Sequence, residues 1–361
     1  MKKIPHPLDR RNFLKGMGAG VFGLAMGSGL WTPGRAKAQT AQTTPPPPKP
    51  ELMPDKVARP ARVSLVKGGD RRAIVYEALK NIEDDVLSAI GNKNILIKPN
   101  FVAVDIDLCA THVDAVRGIL DFLKPHYKKQ IIIGESTASR GGDTFVGFKN
   151  YGYLPLEKEY NVKLVNLNEE PWVYRYALYQ GNRPTPLRII STFLQPDLFI
   201  ISAAKMKTHD RVLATLSLKN VLVAAPVNDG RRNDKGLIHR GVTFSRDAYI
   251  HFNLFHLAQM IYPNLGVIDG FTAMEGEGPT GGTPVEARVA LASLDPLAMD
   301  CLAMKLMGFD PAQIMYLNAI AEAGKGQGDF SKIQVLGTPA DQCQYRFKPA
   351  KRMAEVYNLT G

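Results

Sequence analysis

Ionisable and amide side chains gather directly after short apolar runs. Ile95-Leu96-Ile97 leads into Lys98-Pro99-Asn100, and Ile131-Ile132-Ile133 leads into Gly134-Glu135-Ser136. A run ending near Ser202 leads into Lys205-Met206-Lys207-Thr208-His209. Leu265-Gly266-Val267-Ile268 leads into Asp269-Gly270 and then Glu275-Gly276-Glu277-Gly278-Pro279. The cationic set comprises Lys98, Lys205, Lys207, His209, Lys219 and His239-Arg240. Lysines placed this way act as point charges for a phosphate or carboxylate, and a histidine moves protons. Asn100 and Asn220 add amide donors and acceptors. The acidic set comprises Glu135, Asp269, Glu275, Glu277, Asp295 and Asp300. Its carboxylates suit oxygen ligation of a divalent metal, with Asp269, Glu275 and Asp300 as the expected ligands, or general acid–base work by Glu135 and Glu275. Each group also has a plainer reading. A lysine after a strand serves solubility, Asp295 before Pro296 caps a helix, and Asp300 forms a structural ion pair. His251 and His256 read as packing residues.

Such residues act together only if the strands share a direction and end at one edge. The apolar runs at 63–66, 94–97, 131–133, 162–165, 198–201 and 265–268 are short and apolar on both faces, as strands of a covered parallel sheet are. Between them, residues 73–90 and 113–127 repeat apolar residues at helical spacing. The pattern predicts an α/β fold, a largely parallel sheet covered by helices on both faces, with room for a second, smaller subdomain. In open sheets of this kind ligands sit beyond the carboxyl ends of the strands, where the four polar clusters are expected to converge. Residues 285–291 alternate apolar and polar and read as a half-exposed or antiparallel strand. Asp295-Pro296 and Asp310-Pro311 mark two late helix starts. The domain is expected over 61–330, with 331–361 as a C-terminal tail. Walker and Gly-x-Ser-x-Gly motifs do not occur, and the glycines at 141–142 and 276–282, which include the spacing Gly276-x-Gly278-x-x-Gly281, read as turns rather than as a dinucleotide fingerprint.

At these residues the chain resembles a bacterial and archaeal family, the domain of unknown function 362, over roughly residues 62–323. The resemblance rests on Ile97-Lys98-Pro99-Asn100, Gly134-Glu135-Ser136, Lys205-x-Lys207-x-His209, Leu218-Lys219-Asn220, His239 and Asp269-Gly270. Met274-Glu275-Gly276-x-Gly278-Pro279, Asp295 and Asp300 complete it. It implies a shared fold and a shared site and names no reaction. Some members carry a ferredoxin-like iron–sulfur module. This chain has three cysteines, Cys109, Cys301 and Cys343, none in a C-x-x-C unit, so no iron–sulfur cluster is expected.

The amino terminus reads as an address. Arg10-Arg11 followed by Phe13-Leu14-Lys15, a mildly apolar run of roughly 15 residues and Ala36-Lys37-Ala38 make a twin-arginine signal, with cleavage expected after Ala38. The run falls short of the about 20 residues a membrane span needs, so no stable span is expected after cleavage. Residues 39–60, with Pro45-Pro46-Pro47-Pro48, read as an extended linker. Residues 1–38 carry seven basic residues and one acid, so about +5 of the chain's +11 net charge remains beyond them. That excess is not the concentrated basic stripe of a nucleic-acid binder. The expected partners are the twin-arginine translocase and a small anionic ligand, and the expected location is the periplasm or cell exterior. The functional expectation is an enzyme acting on a small anion, with a divalent metal as its one suggested cofactor. The alternatives are a non-catalytic binding or maturation factor and an accessory protein to a redox system.

Overall fold

The computed structural model describes residues 60–179, 183–239 and 248–359. The expected twin-arginine signal, the expected cleavage position and nearly all of the proline-rich segment lie outside them.

Of the twelve strands among the described residues, ten form one sheet. The first four are β1 (Ala61–Lys67), β2 (Asn94–Lys98), β3 (Ile131–Glu135) and β4 (Val162–Asn166). Next, β5 (Trp172–Tyr179) and β6 (Arg183–Ile190) pair antiparallel as a separate two-stranded sheet. The rest are β7 (Leu198–His209), β8 (Leu213–Thr215), β9 (Leu265–Glu277), β10 (Gly281–Val285), β11 (Val289–Ser293) and β12 (Ile333–Gly337). The order across the large sheet is β12-β1-β11-β9-β7-β2-β3-β4, with β10 on β9 and β8 on β7. Along this path only β11 runs antiparallel to its neighbours. From β2 the chain steps outward to β3 and β4, then returns to lay β7 along the other side of β2. The strand order therefore reverses between β2 and β7, the switch point of a doubly wound sheet.

Helices cover both faces. On one lie α1 (Arg71–Lys80), α2 (Glu83–Ile90) and α3 (Val113–Leu123), packed over Ile95, Ile97, Ile133, Ile201 and Val267. The short helices α4 (Thr144–Asn150) and α5 (Leu156–Glu159) follow β3. The other face holds α6 (Ser217–Leu222), α7 (Asp234–His239), α8 (Ala248–Ala258), α9 (Pro296–Leu306) and α10 (Met315–Glu322), over Leu96, Ile200, Ala204 and Ile268. The last helix is α11 (Lys351–Tyr357). Successive strand residues thus feed opposite cores, the signature of a sheet buried on both sides. Among the described residues no helix is long and apolar enough to cross a membrane.

Local chemistry explains where elements begin and where the sequence reading needs correction. Residues 73–90, expected as one helix, form α1 and α2: α1 ends at Asn81, whose side chain turns to the Ser64 hydroxyl at 3.0 Å. Residues 285–291, expected as one strand, contain a break at Arg288 (φ +54°) that separates β10 from β11. Asp295 caps α9 by accepting from the Ala298 amide, with Pro296 in the first turn. Asp310-Pro311 starts only a single 3₁₀ turn. Residues 331–361, set apart as a tail, supply β12, which pairs parallel with β1, and α11. All three cysteines are buried and free.

Candidate functional site

The largest departure from the sequence reading is the length of the strands. Lys205, Lys207 and His209 were expected in a loop; they lie within β7, whose twelve residues are all buried. Asp269 and Glu275 likewise lie within β9. Alternation puts Lys205, Lys207 and His209 on the face that carries Phe199, Ile201 and Ala203 earlier in the same strand. The register between β7 and β9 shifts between Lys205 and Lys207, and the two lysines reach different partners. Lys205 pairs across the sheet with Asp269 at 3.5 Å, and Arg71 of α1 reaches the other Asp269 oxygen at 3.2 Å. The backbone amides of His112 and Phe271 also donate to Asp269. Lys205, Asp269 and Arg71 therefore close a buried ion network that ties α1 to the sheet.

Lys207 donates to Asn100 Oδ1 and to the Cys109 carbonyl, each at 2.6 Å. Asn100 Nδ2 donates to Asn220 Oδ1 at 2.9 Å, and Lys98 Nζ donates to the same oxygen at 2.6 Å. Asn220 Nδ2 returns to the Lys98 carbonyl at 3.1 Å and Ser202 Oγ at 3.0 Å. Lys98 Nζ lies 3.1 Å from Glu135 Oε2, and Glu135 also accepts the amides of Phe101 at 2.7 Å and Ser136 at 2.6 Å. The ends of β2, β3 and β7 and the helix α6 are thus laced together at the switch point.

Beside this network is a small polar cavity, about 40 Å³, bordered by Lys98, Asn100, Glu135, Thr215, Lys219 and Lys235 among others. That volume admits about three water-sized groups. Three lysines face it against one carboxylate, Glu135. Lys235, which the sequence reading did not single out, donates to Ser136 Oγ at 3.0 Å and the Ala224 carbonyl at 2.7 Å. Lys219 is buried and, among the described residues, makes no hydrogen bond or ion pair. The Thr215 hydroxyl is also buried without a partner among the described residues.

Burial of several like charges moves their protonation. Desolvation, reinforced by Lys207, lowers the Lys219 amine to about 7, and desolvation lowers Lys207 to about 7 as well. Lys98 and Lys235 are also lowered by burial, while Glu135 pulls each the other way. His209 and His239 stack with ring centroids 5.9 Å apart. Burial and the Lys219 charge hold His209 well below the ordinary histidine range and bring His239 to about 3, so both rings are neutral. His239 Nδ1 lies 2.9 Å from the Lys235 carbonyl. A carbonyl only accepts, so this nitrogen carries the proton and Nε2 keeps a lone pair.

The remaining carboxylates have separate duties. Glu275 accepts from the Lys348 amide and Glu277 from the Lys351 amide at the start of α11, tying β9 to the C-terminal segment. Asp300, on α9, accepts from the Ser217 and Leu218 amides, each at 2.9 Å. Leu216 cannot cap α6 with its own side chain, and Asp300 supplies the missing acceptor from outside. It thereby positions the helix that carries Lys219 and Asn220. Gly266 lets this happen: a Cβ there would stand 2.6 Å from Ser217 Oγ and 2.2 Å from Met299 Cε. Asp269, Glu275 and Asp300 are thus engaged with different partners. Among the described residues no group of three His, Cys, Asp or Glu is placed to hold a metal ion.

The fold and site define a doubly wound α/β protein with a buried, lysine-lined polar cavity at its switch point. The chain belongs to the family described as domain of unknown function (DUF362), whose pattern matches residues 95–305. It is 27% identical over 245 residues to the thylakoid-associated protein sll1697 of Synechocystis sp., covering 66% of this chain and 72% of that protein. Among solved structures it is similar to a protein from Thermotoga maritima, at 14% identity and TM-score 0.38. It is also similar to the lactate racemase apoprotein from Thermoanaerobacterium thermosaccharolyticum, at 16% identity and TM-score 0.39. The alignments cover 74% and 68% of this chain and span 61% and 56% of those chains.

Proposed function

We propose that this protein is an exported enzyme acting on a small anion held in the cavity at the switch point. Lys98, Asn100, Lys207, Lys219 and Asn220 bind the anion directly or position the groups that do. His209 and His239 move protons beside it, and Glu135 holds Lys98 in place. Lys205, Asp269 and Asp300 are read as supports for the site. The observation that carries this reading is the excess of lysines over carboxylates around a buried cavity, with one amine, Lys219, unpartnered among the described residues. Buried cations without counter-charges are costly, and an entering oxyanion supplies the missing charge. Delivery outside the cytoplasm follows from reading Arg10-Arg11 as a twin-arginine signal.

The test is a thermal-shift series with phosphate, sulfate, acetate and glyoxylate, each at pH 6 and pH 8. Lys207 and Lys219, at about 7, are charged below that value and lose their protons above it. Stabilisation by at least one anion is therefore expected at pH 6. It should weaken about tenfold in affinity for each pH unit above 7 and for each lysine that must be charged. Absence of stabilisation by every anion at both pH values would remove the reading.

A further inference from the structure

We propose that Lys219 is a covalent catalytic residue, forming an imine through its Nζ with a two- or three-carbon 2-oxo acid. This names the substrate class of the cavity just described and rests on the anion-binding reading. The geometry separates Lys219 from the other lysines there. Lys98 is committed to Asn220 and Glu135, and Lys235 to Ser136 and Ala224. Those amines are directional donors, suited to grip a carboxylate. Of these, only Lys219 keeps its nitrogen free of partners among the described residues, as a nucleophile must. Its depressed proton affinity leaves a large share of the amine neutral near pH 7. The orphan Thr215 hydroxyl borders the same cavity and suits the 2-oxo oxygen. The space is small, about 40 Å³, which favours glyoxylate or pyruvate over longer acids.

The step balances without any oxidant or reductant. The Nζ lone pair attacks carbon 2, the C–N bond forms, and the carbonyl oxygen takes a proton to give a carbinolamine. The nitrogen gives up two protons in all, one to that oxygen as the carbinolamine forms and the second to the hydroxyl, which leaves as water, and a neutral C=N bond remains. Attack needs a neutral Lys219 and loss of water needs a proton donor, so imine formation should peak near pH 7.

The experiment treats the full chain with glyoxylate or pyruvate and sodium cyanoborohydride, which delivers hydride to an imine carbon and fixes it as a secondary amine. Intact mass and peptide mapping are read out, with thermal shift by the same acids measured in parallel. The expected result is one adduct per chain, on the peptide containing Lys219, lost in Lys219→Gln. Mapping on the unaltered protein keeps the result independent of whether that variant folds. A thermal shift by the acids with no adduct at Lys219, or with adducts on surface lysines alone, overturns the imine and leaves the anion site standing. Neither shift nor adduct, with the other anions also inert, overturns both.

Discussion

Glu135→Gln isolates the residue that joins three strand ends. Glu135 is 1% exposed and holds two backbone amides and the Lys98 ammonium. A glutamine offers one carbonyl oxygen, so one of the two amides faces an NH₂ group instead. Losing a buried charge-assisted bond of that kind costs about 1.5–3 kcal/mol. Lys98 also loses its only carboxylate, and breaking a buried pair from one side costs about 3–5 kcal/mol. The full sum is not reached, because Lys98, already lowered by burial, sheds its proton when the cost of keeping it grows. The expected loss is about 4 kcal/mol, or roughly 8–16 °C in melting temperature at about 2–4 °C per kcal/mol. Urea unfolding at pH 7, followed by circular dichroism, measures it. Glu83→Gln, which breaks the exposed pair with Lys80, serves as the control and should leave the midpoint unchanged. A loss below about 1 kcal/mol for Glu135→Gln, with an unchanged m-value, would refute the argument that this carboxylate organises the site.

Three further outcomes are expected. Burial raises the Asp300 carboxyl to about 8, against an ordinary value of 3.8, so the native state binds more protons than the unfolded chain between those values. Its contribution is complete below about pH 4 and is lost as pH rises toward 8, and Asp300→Asn should flatten that slope in urea titrations from pH 5 to 8. Gly142 has φ +73°, and a Cβ there would stand 2.2 Å from the Asn228 carbonyl, so Gly142→Ala should cost more than about 2 kcal/mol in thermal unfolding. Replacing Arg10 and Arg11 with lysine should leave the chain in the cytoplasmic fraction of a host with an intact twin-arginine translocase, and export undiminished by the change would refute that signal.

Strand-end chemistry was legible where it depended on short-range order. Lys98, Asn100 and Glu135 follow apolar runs that had to be strands, and a parallel sheet brings such ends together. The reach of β7 to His209 was not legible, because lysines after an apolar run look like a loop. What keeps Lys205 and Lys207 in the strand is distant pairing: Asp269 on β9, Asn100 after β2 and the Cys109 carbonyl. Lys235 carried no signal at all, since two of its partners, the Ala224 and Pro226 carbonyls, belong to backbone that no residue pattern encodes. Asp300 was legible as a buried carboxylate on an apolar helix. Its partners, two amides of α6, could not be read for the same reason.

That reliance on backbone carbonyls bears on how the cavity balances stability against function. Carbonyls satisfy the donors of Lys207 and Lys235 but supply no negative charge, so the amines stay easier to deprotonate than a lysine in water. Lys219 lacks even that help, and its folded value of about 7 lies below the ordinary 10.5. The unfolded chain therefore binds more protons between pH 7 and 10.5, and the stability cost of Lys219 is greatest at pH 7 and below, fading as pH rises through that window. Removing the amine removes the cost. Lys219→Met leaves no hydrogen-bond partner orphaned, because Lys219 has none among the described residues. The variant is expected to gain stability, by up to about 4 kcal/mol at pH 7 from the proton linkage alone, while losing the thermal shift caused by anions. A structural lysine would behave in the opposite way, losing stability on substitution. Melting temperatures with and without anion, for both proteins at pH 7, decide the matter: a destabilised Lys219→Met that still responds to anions would show that Lys219 serves the fold and not the ligand.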